Sequence, residues 1–283
     1  MRGLVIVLVL LLLSACQSVV APVAQVPDGE IVDLRSGQVL SAQALVERLA
    51  DEPRVIVGEQ HDNPEHHQVQ LWLLQALAEQ RAQGSLLLEM LTEDQQVAVD
   101  KVHGTPVQQW PQDLPQALAW QSGWDWSLYG PIVRYVLAQP YPLLAANLTK
   151  TQVRQVYRQP PVIEGPRSTA PAVSEVLLTQ IRQSHCGMLP ESQLAPMLAI
   201  QQQRDRHMAE RLLAAPAPSM LLAGAYHARL DIGVPLHVQD LGAPQPQVLI
   251  LAQKGDAVDA GSADYAWYTA ARPTPDYCAQ MRQ

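Results

Sequence analysis

The sequence predicts an α/β fold: a mostly parallel sheet flanked by helices, with an inserted helical subdomain. Three observations predict it. Five short apolar runs, Val55–Val57, Leu86–Leu88, Leu143–Ala146, Met220–Ala223 and Val248–Ala252, are continuous rather than alternating. Continuous runs suit strands that are covered on both faces. Stretches with apolar residues at helical spacing separate them. Between Asn147 and Met220 no strand-like run occurs, and the segment reads as helix throughout.

The helices follow in order. Glu65–Gln83 carries Val69, Trp72, Leu73, Ala76 and Leu77 on one stripe. Asp94–Val102 and Leu114–Trp120 are shorter candidates. Gly130–Leu137 is expected to open near Pro131, since proline is favoured in a first helical turn. Lys150–Tyr157, Ala172–Arg182 and Ser192–Ala214 fill the insertion, which spans about residues 148–218. The main domain is placed at residues 29–283. Its size fits one large α/β domain.

The front of the chain predicts export. One positive charge, Arg2, precedes the unbroken apolar run Leu4–Leu13, and Ser14-Ala15-Cys16 follows. Residues 1–15 read as a signal peptide, short for a membrane span. Leu13-Ser14-Ala15-Cys16 resembles a bacterial lipobox, which implies cleavage before Cys16 and a diacylglycerol on its sulfur. An ordinary secretory signal with a chance cysteine is the alternative. In the lipoprotein pattern, Gln17 in place of Asp points to the outer membrane, with the domain facing the periplasm. Residues 16–28, rich in Val, Ala, Pro and Gln, read as the lipidated tether. The formal net charge of -8 and the lack of any basic run argue against nucleic acid as a partner. Cys186 and Cys278 remain, and their spacing leaves a disulfide open.

Polar groups stand where the apolar runs stop. Val55–Val57 runs into Gly58-Glu59-Gln60-His61, Leu86–Leu88 into Glu89, Leu143–Ala146 into Asn147, and Leu221–Ala223 into Gly224-Ala225-Tyr226-His227. In a parallel sheet these ends share one edge, where open α/β sheets build their sites. Glu59, His61, Glu89, Asn147 and His227 are therefore expected to meet in one concavity. A single Glu or Asn after a strand serves equally as a turn former. Two His after two Gly turns are harder to explain that way. His66 and His67 are expected on a solvated helix face. The helical zinc motif HEXXH, CxxC pairs, the P-loop, GxSxG and GxGxxG are all absent from the sequence.

Two further segments bear on the site. Trp120, Trp124, Trp126 and Tyr129 lie within ten residues. Such a cluster serves as core. It also suits a planar macrocycle, and Tyr is a haem ligand type. Farther on, Met197, Gln201, Arg204, Met208 and Leu212 fall on one helical stripe. Gln201, Arg204 and Asp205 there need partners if buried. Arg204 is suited to a ligand carboxylate or to a nearby acid of the chain.

The ordered motifs resemble the ChaN-like haem-binding uptake lipoproteins of the Tiki/TraB-like superfamily. They are Gly58-Glu59-Gln60-His61-Asp62, Leu88-Glu89-Met90, Trp124-x-Trp126-x-x-Tyr129-x-Pro131, Ala146-Asn147, His185-Cys186-Gly187-Met188-Leu189-Pro190, Gln201-x-x-Arg204-Asp205-x-x-Met208-Ala209 and Gly224-x-x-His227-Ala228-Arg229, followed by Gly233-Val234-Pro235. Together they cover nearly the whole mature chain. The resemblance implies a role in haem or iron uptake or storage, with haem at a dimer interface and a Tyr on the iron. The ligand role carries over to Tyr129, within the matching aromatic motif, with Tyr135 as the reserve. Trp126 and its neighbours would shield the ring, and Arg204 or Arg229 would meet propionates. A haem receptor or transporter is the implied partner.

The wider superfamily also implies a rival reading. Glu59, His61, Glu89 and His227 would hold a metal, or act as base and electrophile, in a protease- or esterase-like hydrolase. A structural lipoprotein whose strand-end polar groups only satisfy turns is the third reading.

Overall fold

A computed structural model describes residues 25–273 and 276–281. The expected signal peptide, Cys16 and most of the tether lie outside the described residues.

Eight strands form one sheet: β1 (Glu30–Asp33), β2 (Gln38–Leu40), β3 (Arg54–Glu59), β4 (Ser85–Thr92), β5 (Leu143–Asn147), β6 (Ser219–Gly224), β7 (Gln247–Gln253) and β8 (Tyr265–Thr269). Their spatial order is β2-β1-β8-β7-β3-β6-β4-β5. From β8 across to β5 every pairing is parallel, whereas β1 runs antiparallel to both β8 and β2. The five apolar runs are β3 to β7. The short antiparallel edge was not expected from the sequence.

Alternation along each buried strand divides the core in two. Val55, Val57, Leu86, Leu88, Met220, Leu222, Leu249 and Leu251 face one layer. Ile56, Leu87, Leu221, Ala223, Val248 and Ile250 face the other. The first layer is covered by helices α1 (Ala42–Ala50), α2 (Pro64–Ala78), α3 (Gln96–His103), α4 (Leu114–Ala117) and α5 (Trp126–Leu137). Between β5 and β6 the chain forms α6 (Lys150–Arg158), α7 (Pro171–Ser184) and α8 (Glu191–Ala214). Met208, Ala209 and Leu212 of α8 join the second core, so this long helix packs on the sheet itself. Helices α9 (Ala225–Ala228) and α10 (Val234–Asp240) complete that layer, and α11 (Tyr277–Met281) closes the chain.

Local chemistry sets where helices begin. Asn63 caps α2 by accepting from the Glu65 N–H, with Pro64 in the first turn. Asp125 caps α5 in the same way through the Ser127 N–H. This start lies four residues before the expected one, so Pro131 sits inside the helix. Cys186 and Cys278 are disulfide-bonded, which ties α11 to the α7–α8 connection.

Candidate functional site

The parallel strands bring their carboxyl ends to one rim, and the alternation that divides the core also separates the acids. Glu59 continues the Val55, Val57 series and faces α2 and α5. Glu89 continues from Leu87 and faces α8 and α9. Both are buried, at 2% and 3% exposure.

On the first face, Glu59 Oε1 accepts from the Tyr129 hydroxyl at 2.5 Å and from His61 Nδ1 at 2.9 Å. His67 Nδ1 lies 3.5 Å from the other carboxylate oxygen, and His67 Nε2 lies 2.9 Å from the His61 carbonyl. On the second face, Glu89 Oε2 accepts from the Gly224 backbone N–H at 2.7 Å. His227 Nε2 lies 3.4 Å from Glu89 Oε1, and its Nδ1 bonds Asp205 at 2.5 Å. Gln201 Nε2 reaches the same Nδ1 at 3.1 Å. Asn147 donates to the Glu89 backbone carbonyl at 2.9 Å. His61 bridges the faces, because its Nε2 is 3.9 Å from Glu89 Oε2. Only a glycine at 224 permits this, since a Cβ there would stand 2.7 Å from His61 Nε2.

The charges are strongly coupled. Burial opposes ionisation of Glu59, but the His61 hydrogen bond and the neighbouring imidazoles hold its carboxyl below the usual range. Burial opposes ionisation of Glu89 too, and His227, His61 and the Gly224 N–H hold it low. Burial also works against charging His61, yet Glu59 and Glu89 outweigh it and raise the imidazole to about 9. Burial opposes charging His227 too, but Glu89 and Asp205 outweigh it and raise the imidazole. At neutral pH His61 is an imidazolium, a donor with no free nitrogen lone pair. A metal ligand needs that lone pair.

Several expectations require correction. His66 and His67 are buried, at 1% and 4% exposure, rather than solvated. They lie where α2 packs beneath the rim, and burial pushes His66 down to about 4. Tyr129 is 1% exposed, and its hydroxyl is committed to Glu59. Burial, followed by the Glu59 charge, raises its phenol well above the ordinary value, the opposite of what a phenolate ligand needs. Tyr129 is therefore a core residue that fixes Glu59. Tyr135 is half-buried on α5 and packs against the first core, and burial raises its phenol too. Trp126 stacks edge-on with Trp120 at 5.1 Å under the Arg134 guanidinium. Trp124 touches the His61 ring at 4.8 Å, and Tyr129 meets His61 Nδ1 at 3.0 Å and the His67 ring edge-on at 4.5 Å. The four groups of the hydrolase reading are brought together as ion pairs. Among the described residues, no group of three or more His, Cys, Asp or Glu is arranged to hold a metal ion.

The cleft over this network has a volume of about 590 Å³, within the ordinary range for small-molecule sites. Glu59, His61, Gln201 and His227 form part of its lining, and Tyr226 and Tyr277 line it as well. Tyr226 is 47% exposed and also borders a second cleft beyond α9, which Arg229 lines. Tyr277 is 42% exposed, and its hydroxyl donates to Asp62. Tyr226 escaped the sequence reading although it adjoins His227 in a quoted motif. Its position between Gly224 and His227, on a turn that must leave the sheet, was the available signal. The exposed Tyr226 side chain on an open cleft of this size fits a flat ferric macrocycle, whereas the His61 and His227 ring nitrogens are already engaged by Glu59, Glu89 and Asp205.

The family model for haem-binding uptake, Tiki superfamily, ChaN, matches residues 45–238. This chain belongs to the ChaN family. A solved ChaN of Campylobacter jejuni, described by its cofacial haem binding, is 29% identical with a TM-score of 0.79, over 85% of this chain and 96% of that one. An erythromycin esterase mutant in its open conformation is 13% identical with a TM-score of 0.46, over 80% of this chain and 78% of that one. No curated protein matches the chain. The C. jejuni ChaN thus shares both the architecture and most of the length of this ChaN-family chain.

Proposed function

We propose that this protein binds ferric haem in the cleft above the strand ends and serves haem or iron uptake or storage. Membership of the ChaN family supports the ligand, and exposed Tyr226 on the cleft rim is the observation that carries the site. Tyr226 supplies the iron ligand in this reading, in place of Tyr129. The ionised network below holds the rim rigid and supplies charge, not coordination.

The cleft is open to solvent, so haem seated there would leave one face uncovered. A second copy of the chain covers that face in our reading, which the cofacial binding described for the C. jejuni protein supports. The lipobox-like Leu13–Cys16 segment supports an outer-membrane lipoprotein facing the periplasm, with delivery to a haem receptor or transporter.

The test is titration of the protein with hemin, read by the Soret and charge-transfer bands and by size-exclusion chromatography. Saturable binding with a tyrosinate spectrum, altered by Tyr226→Phe and retained by Tyr129→Phe, is the expected outcome. An unchanged spectrum in Tyr226→Phe removes the ligand assignment. No saturable binding removes the function.

A further inference from the structure

After β8 the chain turns back across the carboxyl edge of the sheet, and its later anchors follow the strand order. The Ala270 N–H donates to the Glu65 carboxylate at 3.0 Å, at the start of α2. The Arg272 N–H donates to the Gln253 side chain at 2.7 Å, at the end of β7. The Tyr277 hydroxyl donates to Asp62, just past β3, and Cys278 is bonded to Cys186 between α7 and α8. Because the sheet runs β8-β7-β3, these contacts step along the rim toward the helical insertion. The last two sit at the cleft. Asp62 and Tyr277 line it, as do Gln180 and Ser184 of α7, shortly before Cys186.

The two ends of the disulfide are held very differently. Cys186 has a φ of 58°, a left-handed conformation uncommon for a residue with a side chain. Three backbone hydrogen bonds fix that turn: the Cys186 N–H to the Gln183 carbonyl at 2.9 Å, Gly187 to Arg182 at 2.8 Å and Met188 to His185 at 3.0 Å. Cys278 lies on a helix of five residues, far too short to be stable alone. Tyr277, Cys278 and Ala279 belong to neither core. Among the described residues, the Tyr277 hydroxyl makes the one hydrogen bond from α11 to the rest of the protein. Tyr277 and Asp62 are both exposed, so water competes for that bond. Without the covalent link, little keeps α11 at the cleft. Both cysteines are half-buried rather than sealed in a core, which leaves their sulfurs within reach of a thiolate.

We propose that Cys186–Cys278 is a reducible latch on a C-terminal strap bordering the cleft, and that a dithiol opens it. One thiolate of the dithiol attacks a cystine sulfur and forms a mixed disulfide, and its second thiol then displaces the remaining cysteine. The dithiol leaves as its own disulfide, having given up two electrons and two protons, and Cys186 and Cys278 end as thiols. Cys186 stays in its hydrogen-bonded turn. The helix α11 lifts away with Tyr277, which widens the cleft and speeds exchange of its occupant. That the occupant is haem rests on the reading above, whereas the latch rests on the anchors.

Three forms of the full mature chain are compared: oxidised, reduced with dithiothreitol and desalted without oxygen, and Cys186→Ser/Cys278→Ser. The reduced wild type keeps the test decisive if the variant fails to fold. Chymotryptic cleavage after Tyr277, followed by mass spectrometry, reports on the strap without any ligand. Transfer of bound hemin to excess apomyoglobin reports on the cleft. Cleavage after Tyr277 should be slow in the oxidised chain and rapid in the other two forms. Hemin should leave those two about fivefold faster than it leaves the oxidised chain, the scale of one lost hydrogen bond at the ligand's boundary. Cleavage at one rate in all three forms overturns the latch. Rapid cleavage with unchanged hemin transfer overturns its hold on the cleft. A disulfide that dithiothreitol opens only in urea-unfolded protein overturns the reducible bond. If no form binds hemin, the haem reading falls, and the cleavage rates alone decide the latch.

Discussion

Glu59 and Glu89 point to opposite faces of one sheet, and His61 reaches both around its rim, 2.9 Å from the first and 3.9 Å from the second. A single exposed-edge imidazole thus joins two buried acids that the pleat keeps apart. The arrangement couples stability to pH in a way whose sign can be worked out.

Both carboxyls are lowered from 4.5, so their contribution is present above pH 4.5 and is lost as pH falls through the lowered values. His61 is raised from 6.5 to about 9, and His227 is raised as well. Their contribution is complete below pH 6.5 and is lost as pH climbs, for His61 through about 9. The network should therefore stabilise most between pH 4.5 and 6.5. Urea midpoints measured across this range and up to pH 9 should fall on the alkaline side, and the fall should shrink in His61→Gln. An equally steep fall in that variant would show that other groups are responsible.

Tyr129→Phe removes a hydroxyl bonded to a charged, buried carboxylate. It should cost about 1.5–3 kcal/mol of unfolding free energy. The hemin spectrum should remain that of the wild type, because the phenol does not reach the cleft. A destabilisation below about 0.5 kcal/mol, the usual range for an ordinary surface change, would contradict this placement.

Gly224→Ala tests the close approach of the rim. Its φ of -59° suits alanine, so backbone strain plays no part. The new Cβ would press on His61 Nε2 at 2.7 Å and must displace the ring. The expected results are a loss of about 1–3 kcal/mol and a His61 pKa closer to 6.5, followed by imidazole NMR titration. An unmoved His61 titration would refute the contact.

The Cys186–Cys278 disulfide holds α11 where Tyr277 meets Asp62 at the cleft mouth. Cys186→Ser/Cys278→Ser should lower stability by about 2–4 kcal/mol. Amide exchange at residues 277–281 should accelerate, while β3 and β6 stay protected. Unchanged exchange there would mean that the segment is held without the bond.

Much of the fold was legible because strands covered on both faces must be apolar at every position, which marks β3 to β7 directly. β1, β2 and β8 were not legible. Two of them are three or four residues long, and β8, Tyr265–Thr269, mixes buried Ala266 and Trp267 with half-exposed tyrosines. The site acids were legible from where their apolar runs stop. Exposure was harder to read: Tyr129 sits on the buried face of α5, and only its place on a turn leaving the sheet marks Tyr226 as open. His66 and His67 misled for a related reason, since adjacent polar residues at a helix start suggest solvent, and only the packing of α2 beneath the rim removes it.

The antiparallel β1 has an effect beyond the sheet edge. Glu30 pairs with Tyr268 near the carboxyl end of β8, so the polypeptide enters the domain on the same edge of the sheet as the cleft at the strand ends. A leader of 13 residues, 16–28, extends at most about 45 Å. With the proposed acyl group on Cys16, a leash of that length would keep the cleft edge of the domain within about 45 Å of the bilayer.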